Sequence, residues 1–406
     1  MRYAFSAAVV GVVAAPAVPA AAAAGGAMGA VRMATAGGRG AAGCAGWSVL
    51  PSPDLAGWDS LRAVTATSAT GAWAVGTVTS GRTTSAMAQR WDGRSWRAAR
   101  LPDGTYHNVN ELDSVAADSP RDVWAVGRSM GPTHGMQPQT TLAEHWDGRA
   151  WSVVPTPVRQ DSPQFASVAA LSPADVWAVG DVFNTSQPPY GRTLTEHFDG
   201  RSWRAVPSPN PGPQDDSLDA VAAVSPNDVW AVGNASPALG VVLTLAEHWD
   251  GRHWRVVPTP NVPGSGFTVL ESIAARSASD IWTAGFYDSN AGYGSLFEHW
   301  DGKQWHLVTA PLTPGGQEEL PGLVTVGTDQ AWAVGGFEGT LTEHWAGHRW
   351  VKVPSPDPGS FANFLSAVTA VPRTGQLLAV GYQQDSGHPA KTLVLSDCVT
   401  GPHRRG

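Results

Sequence analysis

The phrase "DVWAVG" and its near copies recur along almost the whole chain, and no other feature constrains the fold so tightly. Its tryptophan falls at Trp73, Trp124, Trp177, Trp230, Trp282 and Trp332, and a seventh copy, "LLAVG", puts Leu378 in that place. The successive gaps are 51, 53, 53, 52, 50 and 46 residues. Twelve positions before each Trp stands an apolar residue: Leu61, Leu112, Phe165, Leu218, Leu270 and Leu320. A register this regular means one supersecondary unit used again and again.

Each unit holds four short runs of strand character. In the second copy these are "LDSVAA", "DVWAVG", "TLAEHW" and "AWSVVP". They are too short for helices, rich in Val and Trp, and bounded by turn formers. Ser119-Pro120-Arg121-Asp122 separates the first two, with Pro where it presets a turn. Asp147-Gly148 separates the last two and recurs at Asp92-Gly93, Asp199-Gly200, Asp250-Gly251 and Asp301-Gly302. Asp-Gly between apolar runs predicts a tight hairpin with positive φ at both turn residues. Ala346 breaks the series in the sixth copy.

Four strands per unit of about 50 residues describe the blade of an all-β propeller. The seventh copy has no "W-x-x-V-P" strand of its own. The missing piece stands at the other end, as Trp47-Ser-Val-Leu-Pro-Ser-Pro53. The reading is a seven-bladed β-propeller of four-stranded blades, its ring closed by the N-terminal strand completing the C-terminal blade. The domain spans residues 44–398, with 399–406 as a C-terminal tail.

The repeat resembles those of secreted bacterial β-propeller proteins with tandem "SPxDVWAVG … TLxEHWDGxxWxxVPSP" units, over about residues 47–398. More loosely it is similar to the kelch and galactose-oxidase type. It departs from kelch in lacking an internal Gly-Gly pair, and from Asp-box propellers, whose Asp and Gly are not adjacent. The resemblance implies a closed propeller and export. It implies no activity, because one fold serves many functions.

The N-terminus points the same way. Arg2 precedes an apolar run from Ala4 to Val13, and A-x-A sites end near Ala24. Residues 1–24 read as a secretory signal peptide and 25–43 as a flexible Gly/Ala-rich leader. No later segment approaches the roughly 20 apolar residues of a membrane helix, so a secreted monomer without a membrane span is expected. A net charge of −8, with no basic cluster beyond Arg404-Arg405, argues against a nucleic-acid partner.

Of 19 tryptophans, 18 occupy repeated positions, which suggests packing between neighbouring blades; Trp58 alone breaks the pattern. The pairs Glu144-His145, Glu196-His197, Glu247-His248, Glu298-His299 and Glu343-His344 could ligate metals or move protons. Third-strand positions keep them about 10 Å from a channel wall, and pairs from different blades cannot converge. Structural pegs in separate blade-to-blade contacts are expected instead, each buried Glu finding a partner in the adjoining blade. Asp288-Ser-Asn290-Ala-Gly292 only echoes the start of a calcium loop, and Glu318-Glu319 reads as a solvated pair. No catalytic motif stands in a fitting context, and no cofactor or metal is implied.

The two cysteines, Cys44 and Cys398, fall where the hairpin of the divided seventh blade would lie, and a disulfide between them is expected in an exported chain. Ala42-Gly43-Cys44 also resembles the end of a lipobox, although Arg32 and Arg39 interrupt the apolar run that would require. Function should reside in the loops that vary. Those joining second to third strands, and fourth strands to the next blade, are long and all different, and both kinds share one face of the disc. The aromatic candidates on that face are Trp58, Tyr106, Tyr190, Tyr287, Tyr293 and Tyr382. The expected function is non-enzymatic recognition of an extracellular glycan, cell-wall polymer or protein. The alternative is a carbohydrate-active enzyme, a glycoside hydrolase or lyase, on the same face.

Overall fold

Every repeat folds as the pattern of short Val- and Trp-rich runs dictates. In a computed structural model, which describes residues 46–102, 104, 108–131, 139–157, 161–183, 189–289, 292–308, 310, 318–327, 330–336 and 339–398, each repeat is a four-stranded antiparallel meander. The second repeat shows the plan: Val109–Ser119, Asp122–Met130, Gln139–Trp146 and Trp151–Val153 pair in that order. No helix occurs among the described residues. Three pairs of consecutive meanders are linked by single parallel bridges, Thr84 to Val109, Gly191 to Asp215 and Val242 to Phe267. The last repeat supplies three strands, Ala362–Val371, Gln376–Gln384 and Lys391–Cys398, and its fourth is Ser48–Val49. Ser48 lies opposite Ser396 and Val49 opposite Leu395.

The conserved spacing within a repeat has a steric cause. The apolar residue of the first strand sits opposite the Gly of "WAVG", as Leu112 does opposite Gly127, and a bulge follows at once. The bulged strand comes so close that a Cβ on Gly127 would lie 2.1 Å from the Glu111 carbonyl oxygen. Only glycine fits there. The Asp-Gly hairpins differ from the expected turn. Positive φ is confined to the glycine, 95° at Gly148, and Trp146 pairs with Trp151 across a four-residue loop. The Asp147 carboxylate organises that loop by accepting the Arg149 and Ala150 N–H groups at 2.8 and 2.9 Å. An acceptor at the loop's first position replaces a second strained residue.

The first strands of successive repeats pack on one another. Val109–Ser119 packs against Trp58–Ser68 and Ser162–Ser172, and the contacts continue through Asp216–Ser225, Ser265–Ser277, Glu319–Thr325 and Ala362–Val371, which packs in turn on Trp58–Ser68. No repeat has a core to itself. One cluster joins Trp124, Val126 and Ala143 of the second repeat to Phe165, Phe198 and Trp203 of the third. Another joins Leu378, Val380 and Val394 of the last repeat to Leu61, Met87 and Trp96 of the first.

The tryptophans carry this packing, as their repetition suggests. Each "WAVG" indole receives the edge of the fourth-strand indole of the next repeat. Trp124 and Trp203 stand 5.4 Å apart at 88°, Trp177 and Trp254 5.3 Å apart at 86°, and Trp230 and Trp305 5.5 Å apart at 85°. Trp47 takes the same role towards Trp332, at 5.7 Å and 82°. Burying such rings supplies much of the apolar stabilisation between repeats. Trp203→Ala should therefore cost about 3–5 kcal/mol by urea unfolding. Trp58→Ala, on a 41 % exposed residue, should cost under about 1 kcal/mol. Equal losses would refute this division of labour.

Candidate functional site

The histidines of the Glu-His pairs do not bond across the blades as expected. Four of the five histidines bond within their own repeat. His197, His248 and His299 meet Asp175, Asp228 and Asp280 at 2.8, 2.8 and 2.9 Å, and His145 meets Asp122. Asp122, Asp175 and Asp228 belong to the "SPxD" turns and Asp280 to the equivalent "SASD" turn, one strand away. The imidazole also lies over the "WAVG" indole of its own repeat, 4.5 Å between His145 and Trp124. None of these histidine bonds crosses to a neighbouring repeat. In the sixth repeat Gln330 stands where the aspartate would be; His344 Nε2 is buried without a hydrogen bond, and burial lowers its pKa.

The glutamates depart further. Glu144, Glu247 and Glu298 are fully buried, and neither carboxyl oxygen of any of the three meets a hydrogen-bond partner. Glu343 has Ser295 Oγ of the preceding repeat at 3.4 Å. The first repeat carries Gln89 in this place, and its amide donates to the Pro53 carbonyl at 2.8 Å. Burial without a counter-charge drives the Glu144 and Glu247 carboxyls up to about 8, so they are neutral at pH 7.

The surface that deviates from the repeat lies elsewhere. Antiparallel pairing brings the starts of first and third strands and the ends of second strands to one end of the sheets. Eight large apolar side chains are exposed among the described residues, and six of them, Leu55, Trp58, Phe183, Tyr190, Leu239 and Phe361, stand at this long-loop end. The sequence candidates divide. Trp58 and Tyr190 are exposed, at 41 and 37 %. Tyr287 is half-buried, its ring lying over Gly294 across the hairpin, and Tyr293 stands opposite Asp288. Tyr382 stacks on Phe364 at 5.9 Å and 21°, and burial followed by the charge of Glu319 raises its hydroxyl pKa. Tyr106 and Cys44 lie outside the described residues. Cys398 is described, and no cysteine among those residues is free.

Below the aromatic rim, the first strands hold a band of polar groups that sequence reasoning missed. They flank the invariant apolar residue or follow the "WAVG" glycine. On one side the band is neutralised: Arg62 meets Glu111 at 3.3 Å and also Asp113, while Arg128 meets Glu111 at 3.0 Å and Gln164 at 2.9 Å. On the other side the carboxyl groups face one another. Burial, then the charge of Asp181, lifts Asp219 to about 7. Burial, then Glu319, lifts Glu271 to about 8, against the Leu320 N–H that it accepts at 2.9 Å. Asp181 is pushed to about 6 by burial, its bond to Gln164 at 2.8 Å opposing the rise. All four carboxyl groups keep partial solvent exposure. The signal was present: aligning the repeats shows that the residues beside Leu112, Leu218, Leu270 and Leu320 vary while these apolar residues do not. No group of side chains suited to a metal ion occurs among the described residues.

No protein-family model matches the sequence, and no curated protein matches it. Solved structures do match in fold. The chain is similar to YCF48 bound to D1 peptide, with a TM-score of 0.51 and 16 % identity over 89 % of this chain and 97 % of that one. It is similar to the WD40 β-propeller domain of Doa1, at 0.50 and 14 %, over 86 and 97 %. The GH74 xyloglucanase from Xanthomonas campestris matches at 0.52 and 11 %, over 86 % of this chain and 55 % of that one. At these identities the likeness is one of fold, and that fold is a β-propeller.

The buried glutamates make stability depend on pH. The Glu247 carboxyl is raised from 4.5 to about 8 in the folded chain. Between those values the folded state holds a proton that the unfolded state has released. Stability from this group is therefore full below about pH 4.5 and is lost as pH climbs through 8. Glu247→Gln should flatten the decline of the urea midpoint between pH 5 and 9. An unchanged slope would mean that the carboxyl is ionised in the fold.

Proposed function

We propose that this protein is an exported, non-enzymatic binding propeller. Its seven blades form a ring closed by the Trp47 strand, and it recognises an extracellular partner through the long-loop face. The observation that carries the reading is the concentration of exposed apolar side chains at that end, above a band of unneutralised carboxyl groups. Exposed aromatic and aliphatic groups grouped on one face of a rigid scaffold mark a recognition surface. Of the partners expected from the sequence, a glycan, a cell-wall polymer or a protein, the carboxyl band favours a protein segment bearing positive charge. A cation placed among Asp181, Asp219 and Glu271 would offset the burial cost, and the lesser mutual repulsion, that raises their pKa values.

The specific observation behind a second reading, a carbohydrate-active enzyme, is the neighbouring pair Asp219 and Glu271. Their raised pKa values of about 7 and 8 suit a general acid at neutral pH.

Screening peptide and glycan arrays with the mature protein separates the two. Basic peptides should be retained, more tightly at pH 8 than at pH 6 as the carboxyls ionise. Trp58→Ala with Tyr190→Ala should weaken retention at least tenfold while the melting temperature holds. Asp219→Asn with Glu271→Gln should remove the pH dependence. Release of reducing ends from a glycan, abolished by Glu271→Gln, would favour the enzyme and overturn the binding reading.

The ring closure carries its own test. A Cys44–Cys398 disulfide would join the two halves of the divided blade and contribute about 2–5 kcal/mol. Thiol titration of the unfolded, unreduced mature chain should find no free thiol, and two would exclude the bond.

A further inference from the structure

On the side of the short turns, between the first two repeats, lies a groove of about 810 Å³. The repeat pattern would put a His–Asp pair and a proline here. Arg90 occupies the histidine position, opposite Trp73, while Gly71 stands where the second to fifth repeats have the aspartate. Arg100 occupies the position of Pro155 and Pro207 in the following repeats. Two departures from the repeat thus place two arginines in one cleft, where Arg97 and the turn residue Arg149 also stand. Against these four cations the lining holds one carboxylate, Asp92, already paired with Arg97 at 3.2 Å. Arg90, Arg100 and Arg149 form no ion pair among the described residues.

The Arg90 guanidinium is held in place by aromatic rings. It lies 5.6 Å from the centre of the Trp73 ring and 5.5 Å from that of Trp146. Stacking of this kind fixes the planar group and leaves its N–H donors directed along the plane, the geometry that fits carboxylate and phosphate oxygens. The equivalent groove between the fifth and sixth repeats is smaller, about 470 Å³, and keeps the His299–Asp280 pair. In a chain of net charge −8, a cleft with three unpaired arginines is a local inversion of sign.

We propose that this groove is a second binding site, for an anionic glycan whose sugar units carry carboxylate or phosphate groups. Arg90, Arg100 and Arg149 would bind the acidic groups. Asp92 and the Thr70 hydroxyl would meet sugar hydroxyls, and the half-buried Trp146 indole gives the wall an apolar surface for a ring face. A volume of about 810 Å³ suits several units of such a chain better than one small anion.

The test restores the repeat. A variant with Gly71→Asp, Arg90→His and Arg100→Pro rebuilds what the second, third and fourth repeats already contain, and its melting temperature should equal or exceed that of the parent. Tryptophan fluorescence and calorimetry would follow titration with an oligogalacturonate, a phosphodiester-linked sugar oligomer, a neutral cello-oligosaccharide and inorganic phosphate. The parent should bind the uronate or the phosphodiester oligomer, which identifies the acidic group, with affinity that falls as salt rises. The restored variant should lose at least tenfold. Equal binding of the neutral oligosaccharide, binding of inorganic phosphate alone, equal binding of a single-stranded oligonucleotide, or undiminished binding by the restored variant would each overturn the proposal. Arg90→Gln guards against a folding artefact: it removes the charge alone and should weaken acidic oligomers while leaving binding at the long-loop face intact.

Discussion

The edge-to-face meeting of two indoles from consecutive repeats is the contact on which the remaining architecture depends. A four-stranded meander of this length buries too little by itself to be stable. Trp124 is fully buried only because Trp203 and Phe198 arrive from the next repeat. The same holds from repeat to repeat, so cohesion is a property of neighbours. This explains why the tryptophans tolerate so little variation, while loops outside these contacts vary freely in length and composition.

The first-strand bulge is the second fixed point. It requires glycine opposite Leu112 and its counterparts, and it turns the flanking residues inward, where the first strands of neighbouring repeats meet. Those inward positions are the least uniform in the repeat. Arg62, Asp113, Asp219 and Glu271 occupy one equivalent site, immediately after the invariant apolar residue. Structural uniformity and chemical diversity are thus separated by a single residue along the chain. A site built in this way can change its charge without disturbing the cores between the repeats.

How much of this could be read from the sequence follows from the range of the interactions. Strand order, the Asp-Gly loops and the pairing of the Trp47 segment with the last repeat rest on local pattern and period, and each was legible. The hairpins were misread in one respect, since Asp147 acts through its side chain rather than through its own backbone. The partners of the Glu-His pairs were not legible. Adjacency in the chain suggested two similar roles, whereas the pleat sends His145 to Asp122 and leaves Glu144 in an apolar seam. Tyr382 and Trp58 look alike as aromatics near long loops. Only the fold distinguishes a ring stacked on Phe364 from one that stands in solvent. The arginine groove was hidden for the opposite reason: its residues lie in the part of the repeat that reads as scaffold.

The pairing of Ser48 and Val49 with Leu395 and Ser396 sets an order of events during synthesis. The segment that leaves the ribosome near the beginning cannot acquire its partner until nearly the whole chain has followed. Intermediate repeats can dock as they emerge, because each finds its neighbour about 50 residues away. The terminal junction has a sequence separation of more than 340 residues, and its loop-closure entropy is correspondingly the largest in the molecule. A chain that stops before Lys391–Cys398 would therefore leave the backbone groups of Gln376–Gln384 unpaired along one side and the Trp47 strand without a sheet to join. Unpaired strand edges of that kind are templates for pairing with other chains, so a truncated product would be exposed to aggregation.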